Sequence, residues 1–147
     1  MKYLEDFSVG QVWEFGSYTA SKQEIIDFAR QYDPQPFHID EEAAKDSIFG
    51  GVIASGWHTC GMFMRMLVDN VLNEPGNLGS PGIDELRWIK PVYPGDTLSA
   101  RVTITEIIPS RSKPDRGVVK YHYETFNQNG VLVMTMRGMG MYKRRPQ

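Results

Sequence analysis

The chain has 147 residues, 41% hydrophobic and 23% charged, which is one domain's worth of material and enough to bury a core without staples. A formal charge of −2 gives no electrostatic case for nucleic acid. The single cysteine, Cys60, excludes an intrachain disulfide and any Cys-rich metal site.

The opening MKYLEDFSVGQ has no apolar core of the secretory type, which with the lone cysteine fits a cytoplasmic protein. Gln11 to Thr19 is rich in aromatic and β-favouring residues and predicts a strand, interrupted at Gly16. Ser21 and Glu24 have capping-box spacing, each side chain placed to satisfy a backbone donor. Ile25, Phe28, Ala29 and Tyr32 then recur at helical period, so an amphipathic helix delivers the chain to Asp33. YDPQPFHID follows. Pro34 and Pro36 restrict themselves and the residues before them, which predicts a stiff loop from Asp33 to Asp40. Asp40 is placed to cap a short helix, with Glu41 and Glu42 in its first turn.

SIFGGVIASGW brings three glycines into an apolar setting. From Gly56 to Asn73 the period predicts one long helix, apolar nearly all round and therefore buried. His58, Arg65 and Asp69 interrupt the apolar run from Ile53 to Leu72, and such groups are costly in lipid, so a membrane span is excluded. NEPGNLGSPG is a loop by composition. Strands are expected over Asp84–Ile89, Thr97–Ile108, Val118–Phe126 and Val131–Lys143, with a tight turn at Asn129-Gly130 and a bend at Gly138 and Gly140. Strands grouped after helices predict an α+β domain over residues 1–147, with an antiparallel sheet rolled around the long helix. Its edge strands need covering, and pairing with a second copy as a homodimer or higher homo-oligomer would do it.

Asp33 and His38 are the first candidate chemical pair. Histidine exchanges protons near neutrality, and a nearby aspartate shares or orients a water. The same segment also fits an ordinary connection in which Asp33 caps backbone groups and His38 is filler. Gly56 is the second candidate. A helix starting there presents unpaired N–H groups, suited to a developing oxyanion, although a glycine that merely permits a turn reads the same way. His58 either faces the same cavity or is structural, and His122 alternates with Lys120 and Glu124 towards solvent. Asp33, His38 and Asp40 lack metal-site spacing, so no metal is expected. Met62, Met64 and Met66 are either core or the lining of a deformable acyl pocket. Nucleotide-loop and serine-hydrolase motifs are missing.

DPQPFHID followed by FGGVIASGWHT resembles the MaoC-like, (R)-specific enoyl-CoA hydratase family, which has the hot-dog fold. The family signature runs Gly-Asp-x-Asn-Pro-aliphatic-His. Asp33, Pro36 and His38 match it, while Tyr32, Gln35 and Phe37 depart from it. KPVYPGDTL, Lys90 to Leu98, resembles the segment leading into a strand in these proteins. The resemblance implies reversible hydration of a trans-2-enoyl-CoA in fatty acid metabolism, with Asp33 as base for water and His38 orienting it. The Gly56 N–H would stabilise the thioester oxyanion. Gln35 would support the pair through its amide. With Gln35, the residues Phe37, Ser55, Trp57, His58 and Met64 form the expected substrate-lining set. A supporting serine found on the long helix of some relatives is replaced here by Met64. No cofactor is implied, CoA being part of the substrate. Arg87, Lys90, Lys143, Arg144 and Arg145 are candidate partners for its phosphates by charge, or simply solvated surface. A thioesterase on the same fold, or a non-catalytic acyl-CoA-binding subunit, are the competing readings.

Overall fold

The computed structural model describes residues 2–147. Five antiparallel strands form one sheet in the order β1 (Val12–Thr19), β3 (Thr97–Pro109), β4 (Arg116–Phe126), β5 (Leu132–Lys143) and β2 (Ile83–Trp88). The helices all lie between β1 and β2 in sequence: α1 (Lys22–Tyr32), α2 (Pro36–Ile39), α3 (Glu41–Lys45) and α4 (Gly56–Leu67). This is the α+β hot-dog arrangement expected, a sheet wrapped on one long helix.

Strict alternation along β4 explains the wrapping. Val119, Tyr121 and Tyr123 point inward, while Lys120, His122 and Glu124 stay on the outer face. On the helix, Thr59, Met62, Phe63, Met66 and Leu67 are buried towards the sheet at helical period, and His58 is buried against α1. The Phe63 and Tyr123 rings meet edge-on at 5.1 Å. The opposite side of α4 is not covered. Trp57 is 60% exposed and Met64 47%. The sheet reaches only one side of the helix, so the all-round apolar pattern exceeds what one chain buries. The α-helix ends at Leu67, short of the expected Asn73, and the chain continues as a π-helical segment, Val68–Leu72.

Three local details depart from the sequence expectations. The connection from Asp33 to Asp40 is not wholly a loop, because Pro36 opens the one-turn helix α2, where its missing N–H is harmless. Ser21 does cap α1, its Oγ accepting the Glu24 N–H at 3.1 Å, but Glu24 does not return the favour and points instead at Tyr18 and His58. Gly138 and Gly140 leave the pairing of β5 with β4 unbroken, and the register shift next to Gly138 falls instead on the pairing with β2, between Ile83 and Glu85. A Cβ on Gly138 would stand 3.0 Å from the Tyr123 ring, so the missing side chain makes room for the tyrosine.

The KPVYPGD segment ties the sheet to the site. Asp96 accepts the Tyr93 N–H at 2.8 Å, Gly95 turns at φ +88°, and the Val92 carbonyl accepts the Ala54 N–H at 2.8 Å. Ala54 thereby arrives at a fixed height just before α4 begins. Asn127–Gly130 closes the last hairpin, with Gly130 at φ +74°.

Because Phe63 is 1% exposed at the centre of the helix–sheet contact, Phe63→Ala is expected to lower the unfolding free energy by about 3–5 kcal/mol. Denaturant titration of the two proteins measures it.

Candidate active site

Asp33 is placed by the end of α1. Pro34 disfavours helical backbone at Asp33, which sits at φ −152°, ψ 64° as the C-cap of the helix. Its N–H still donates to the Ala29 carbonyl at 2.7 Å, and its own carbonyl accepts the Gln35 N–H at 2.8 Å. The backbone is therefore fixed on both sides. The carboxylate is held as firmly: Gln35 Nε2 donates to Oδ1 at 2.6 Å, and Ser55 Oγ donates to Oδ2 at 2.7 Å. Burial works to raise this carboxyl, but the Ser55 and Gln35 donors and the nearby His38 outweigh it and hold Asp33 below its ordinary value.

His38, 4% exposed, lies on the single turn of α2. Its Nδ1 is 2.7 Å from the Ile53 carbonyl. A carbonyl only accepts, so Nδ1 carries the hydrogen. In the neutral ring Nε2 is then an acceptor, and it stands 3.3 Å from Asp33 Oδ2. The Ile53 N–H also donates to the Phe37 carbonyl at 3.1 Å, so α2 and the segment before α4 are joined at two points. That pairing is what turns the imidazole towards Asp33.

The third part is the start of α4. Ser55 stands at the N-cap, fully buried, yet its hydroxyl makes no capping bond, because it is directed at Asp33. The His58 and Thr59 N–H groups donate to the Ser55 carbonyl at 3.0 and 3.1 Å. The Gly56 and Trp57 N–H groups have no acceptor among the described residues. Gly56 is a glycine for a packing reason: a Cβ there would fall 2.3 Å from the Trp88 ring, whose Nε1 donates to the Gly56 carbonyl at 3.0 Å. His38 and Gly56 line one open cavity of about 320 Å³ with Phe49, Thr59, Trp88 and Lys90. Asp33 is not among its lining residues; its Oδ2 stands 3.3 Å from His38 Nε2.

The other expected lining residues divide. Gln35 and Ser55 support Asp33 rather than form a wall, and Phe37 packs against the rings of His38 and Phe49 at 4.5 and 5.4 Å. Trp57 points outward against Trp88, with ring centres 5.4 Å apart. Met64 does not reach this cavity. It borders a separate apolar one of about 240 Å³, between α4 and β5, with Phe63, Leu67, Tyr121 and Tyr123. His58 faces the opposite way, stacked on Phe28 at 4.7 Å and 3.5 Å from Glu24. Helical geometry decides this, since residues two apart lie on different faces. The supporting hydroxyl absent at Met64 is supplied from Ser55. Its sequence signal was a cap-type residue directly before the helix, which reads first as a cap.

Most of the candidate cations lie elsewhere. Arg144 and Arg145 pair with Glu5 and Asp6, and with Lys143 they sit near Arg116, at the far end of β5 from the site. Arg87 is 3.5 Å from Glu85. Lys90 alone of the five borders the site cavity. Among the described residues no group of three or more His, Cys, Asp or Glu side chains is placed to hold a metal ion, and no helix is long and apolar enough to cross a membrane.

Comparison with known proteins gives the family of the chain. The model of the MaoC like domain matches residues 6–125. An uncharacterized protein, YdeM of Bacillus subtilis, is 33% identical over 88% of this chain and 91% of its own length. The (R)-specific enoyl-CoA hydratase of Rhodospirillum rubrum is 31% identical over 76% of this chain and 75% of its own. The crystal structure of a MaoC-like dehydratase from Rhodospirillum rubrum superposes with a TM-score of 0.91 at 42% identity, over 100% of both chains. The matched stretch contains the loop of Asp33 and His38 and the helix start at Gly56, and the chain belongs to the MaoC-like domain family of hydratases and dehydratases.

Proposed function

We propose that this protein is a hydro-lyase that reversibly adds water to a trans-2-enoyl-CoA, giving a 3-hydroxyacyl-CoA, with CoA as part of the substrate and no further cofactor. One observation carries the proposal. With the imidazole neutral and its one hydrogen committed to Ile53, His38 Nε2 is an acceptor facing the Asp33 Oδ2 acceptor at 3.3 Å. A water that donates one hydrogen to each satisfies both and presents its oxygen lone pair outward.

The step balances as follows. The water oxygen bonds to Cβ, and one of its protons passes into the Asp33–His38 pair. Charge moves through the conjugated system onto the thioester oxygen, where the unpaired Gly56 N–H at the positive end of α4 receives it. The pair then returns one proton to Cα, and the second water proton remains on the product hydroxyl. A carboxyl held low by Ser55 and Gln35 is ionised at neutral pH, as its role as base for water requires. Lys90 at the cavity rim is the cation best placed for a CoA phosphate.

The exposed apolar stripe of Trp57 and Met64 on α4 and Val68 just after it, beside Ile83 and Trp88 on the edge strand β2, supports a homodimer. The reducing cytoplasm and fatty acid metabolism fit the free Cys60 and the acyl-CoA chemistry.

Incubation with crotonyl-CoA and longer trans-2-enoyl-CoAs tests the reaction: loss of the conjugated double bond without free thiol is expected. Thiol release would instead make the protein a thioesterase, and tight binding with neither signal a non-catalytic subunit. Asp33→Asn and His38→Ala are each expected to lower kcat by ~100- to 10,000-fold with the fold intact by circular dichroism. Ser55→Ala removes a donor that holds Asp33 low, so the Asp33 carboxyl rises and the acid limb of the pH–rate profile moves to higher pH. An unmoved limb would separate Ser55 from the base.

A further inference from the structure

One buried histidine takes no part in the chemistry above. His58 is 4% exposed in the first turn of α4, and its Nδ1 is buried without a hydrogen-bond partner. The ring's one polar contact is Nε2, 3.5 Å from Glu24 Oε1. A carboxylate only accepts, so Nε2 carries the hydrogen and Nδ1 the lone pair. The Tyr18 hydroxyl donates to the same Glu24 oxygen, and Phe28 stacks flat on the imidazole at an interplanar angle of 10°. Strand β1, helix α1 and helix α4 thus meet at one carboxylate. Burial holds the His58 imidazole below its ordinary value against the pull of Glu24, which keeps the ring neutral at working pH.

The placement of this meeting point is specific. Glu24 lies in the first turn of α1 and Asp33 at its C-cap. His58 lies in the first turn of α4, three residues after Ser55 and two after Gly56. The two helices are therefore joined twice, at Asp33–Ser55 on the side of the chemistry and at Glu24–His58 on the other. The first turn of α4 also lacks its side-chain cap. Ser55 is pulled away from the turn that needs it, and Glu24 away from the cap of α1. Both helices give up local stability to a contact between them.

We propose that Tyr18, Glu24 and His58 form a positioning brace that sets the first turn of α4, and with it Ser55 and the Gly56 N–H, against Asp33. The proposal rests on the hydratase reading for its effect on rate, but not for its structural effect. His58 is a positioning residue, acting through the helix turn and touching no substrate.

Two readouts on His58→Leu and His58→Gln test it. Leucine fills the space without a donor, whereas a glutamine amide replaces the Nε2–H. His58→Leu is expected to lower kcat on a trans-2-enoyl-CoA by about 10- to 100-fold with KM within about twofold, and His58→Gln to restore most of it. Independently, amide exchange across residues 55–60 is expected to quicken by about tenfold in His58→Leu and not in His58→Gln. Glu24→Ala, at a half-exposed position that does not threaten folding, should reproduce both effects. Exchange and kcat unchanged in Glu24→Ala or in a folded His58→Leu would overturn the brace. A wild-type protein that fails to hydrate enoyl-CoAs while the exchange pattern holds would sink the hydratase reading and leave the brace standing.

Discussion

The site depends on one carboxylate oxygen, Asp33 Oδ2. It accepts the Ser55 hydroxyl at 2.7 Å and faces His38 Nε2 at 3.3 Å. Those two neighbours come from different parts of the chain, the N-cap of α4 and the single turn of α2. A hydrogen bond to an ionised group is worth more than a neutral one and falls off steeply with distance and angle. It therefore fixes where α4 begins relative to the end of α1. The Gly56 N–H inherits that precision, because it follows Ser55 directly. The Asp33–His38 pair and the Gly56 N–H are in this sense one construction.

Prolines and glycines set the limits within which that bond forms. Pro34 stops α1, and Pro36 starts α2 two residues later, so Asp33 and His38 are held close with little backbone freedom. Gly56 lets the Trp88 indole lie against the helix start, which carries β2 to the rim of the cavity. The Val92–Ala54 and Phe37–Ile53 bonds tie the intervening segment to the sheet and to α2. Each removes a way for the reacting groups to drift, and positioned groups lose rate quickly with small displacements.

Much of this was legible before any coordinates. Alternation in β3 and β4 and the helical period of α1 and α4 are carried by local side-chain direction, and their boundaries fell within a residue or two except at the end of α4, which gives way to π-helix after Leu67. Asp33 and His38 stand out because acid, base and two prolines share nine residues. Ser55 was legible only as a lining residue, since a serine before a helix reads first as its cap and nothing local reveals a carboxylate 22 residues upstream. Glu24 misled in the same way: its spacing from Ser21 describes a capping box, but Tyr18 and His58 compete for the carboxylate and prevail. Gly138 and Gly140 read as a bend until the Tyr123 ring occupied the space.

The sequence by itself determined most of the elements, their order, the alternating faces of the strands, and Asp33 and His38 as candidate acid and base, because periodicity, proline geometry and side-chain chemistry are local properties. Only the tertiary structure decided partners. It assigned Ser55 and Gln35 to Asp33, turned His58 away from the cavity and towards Glu24, and moved Lys143, Arg144 and Arg145 to the far end of the sheet. The reason is physical: a polar side chain within reach of several partners takes the one that packing brings closest, and packing is set by residues distant in sequence.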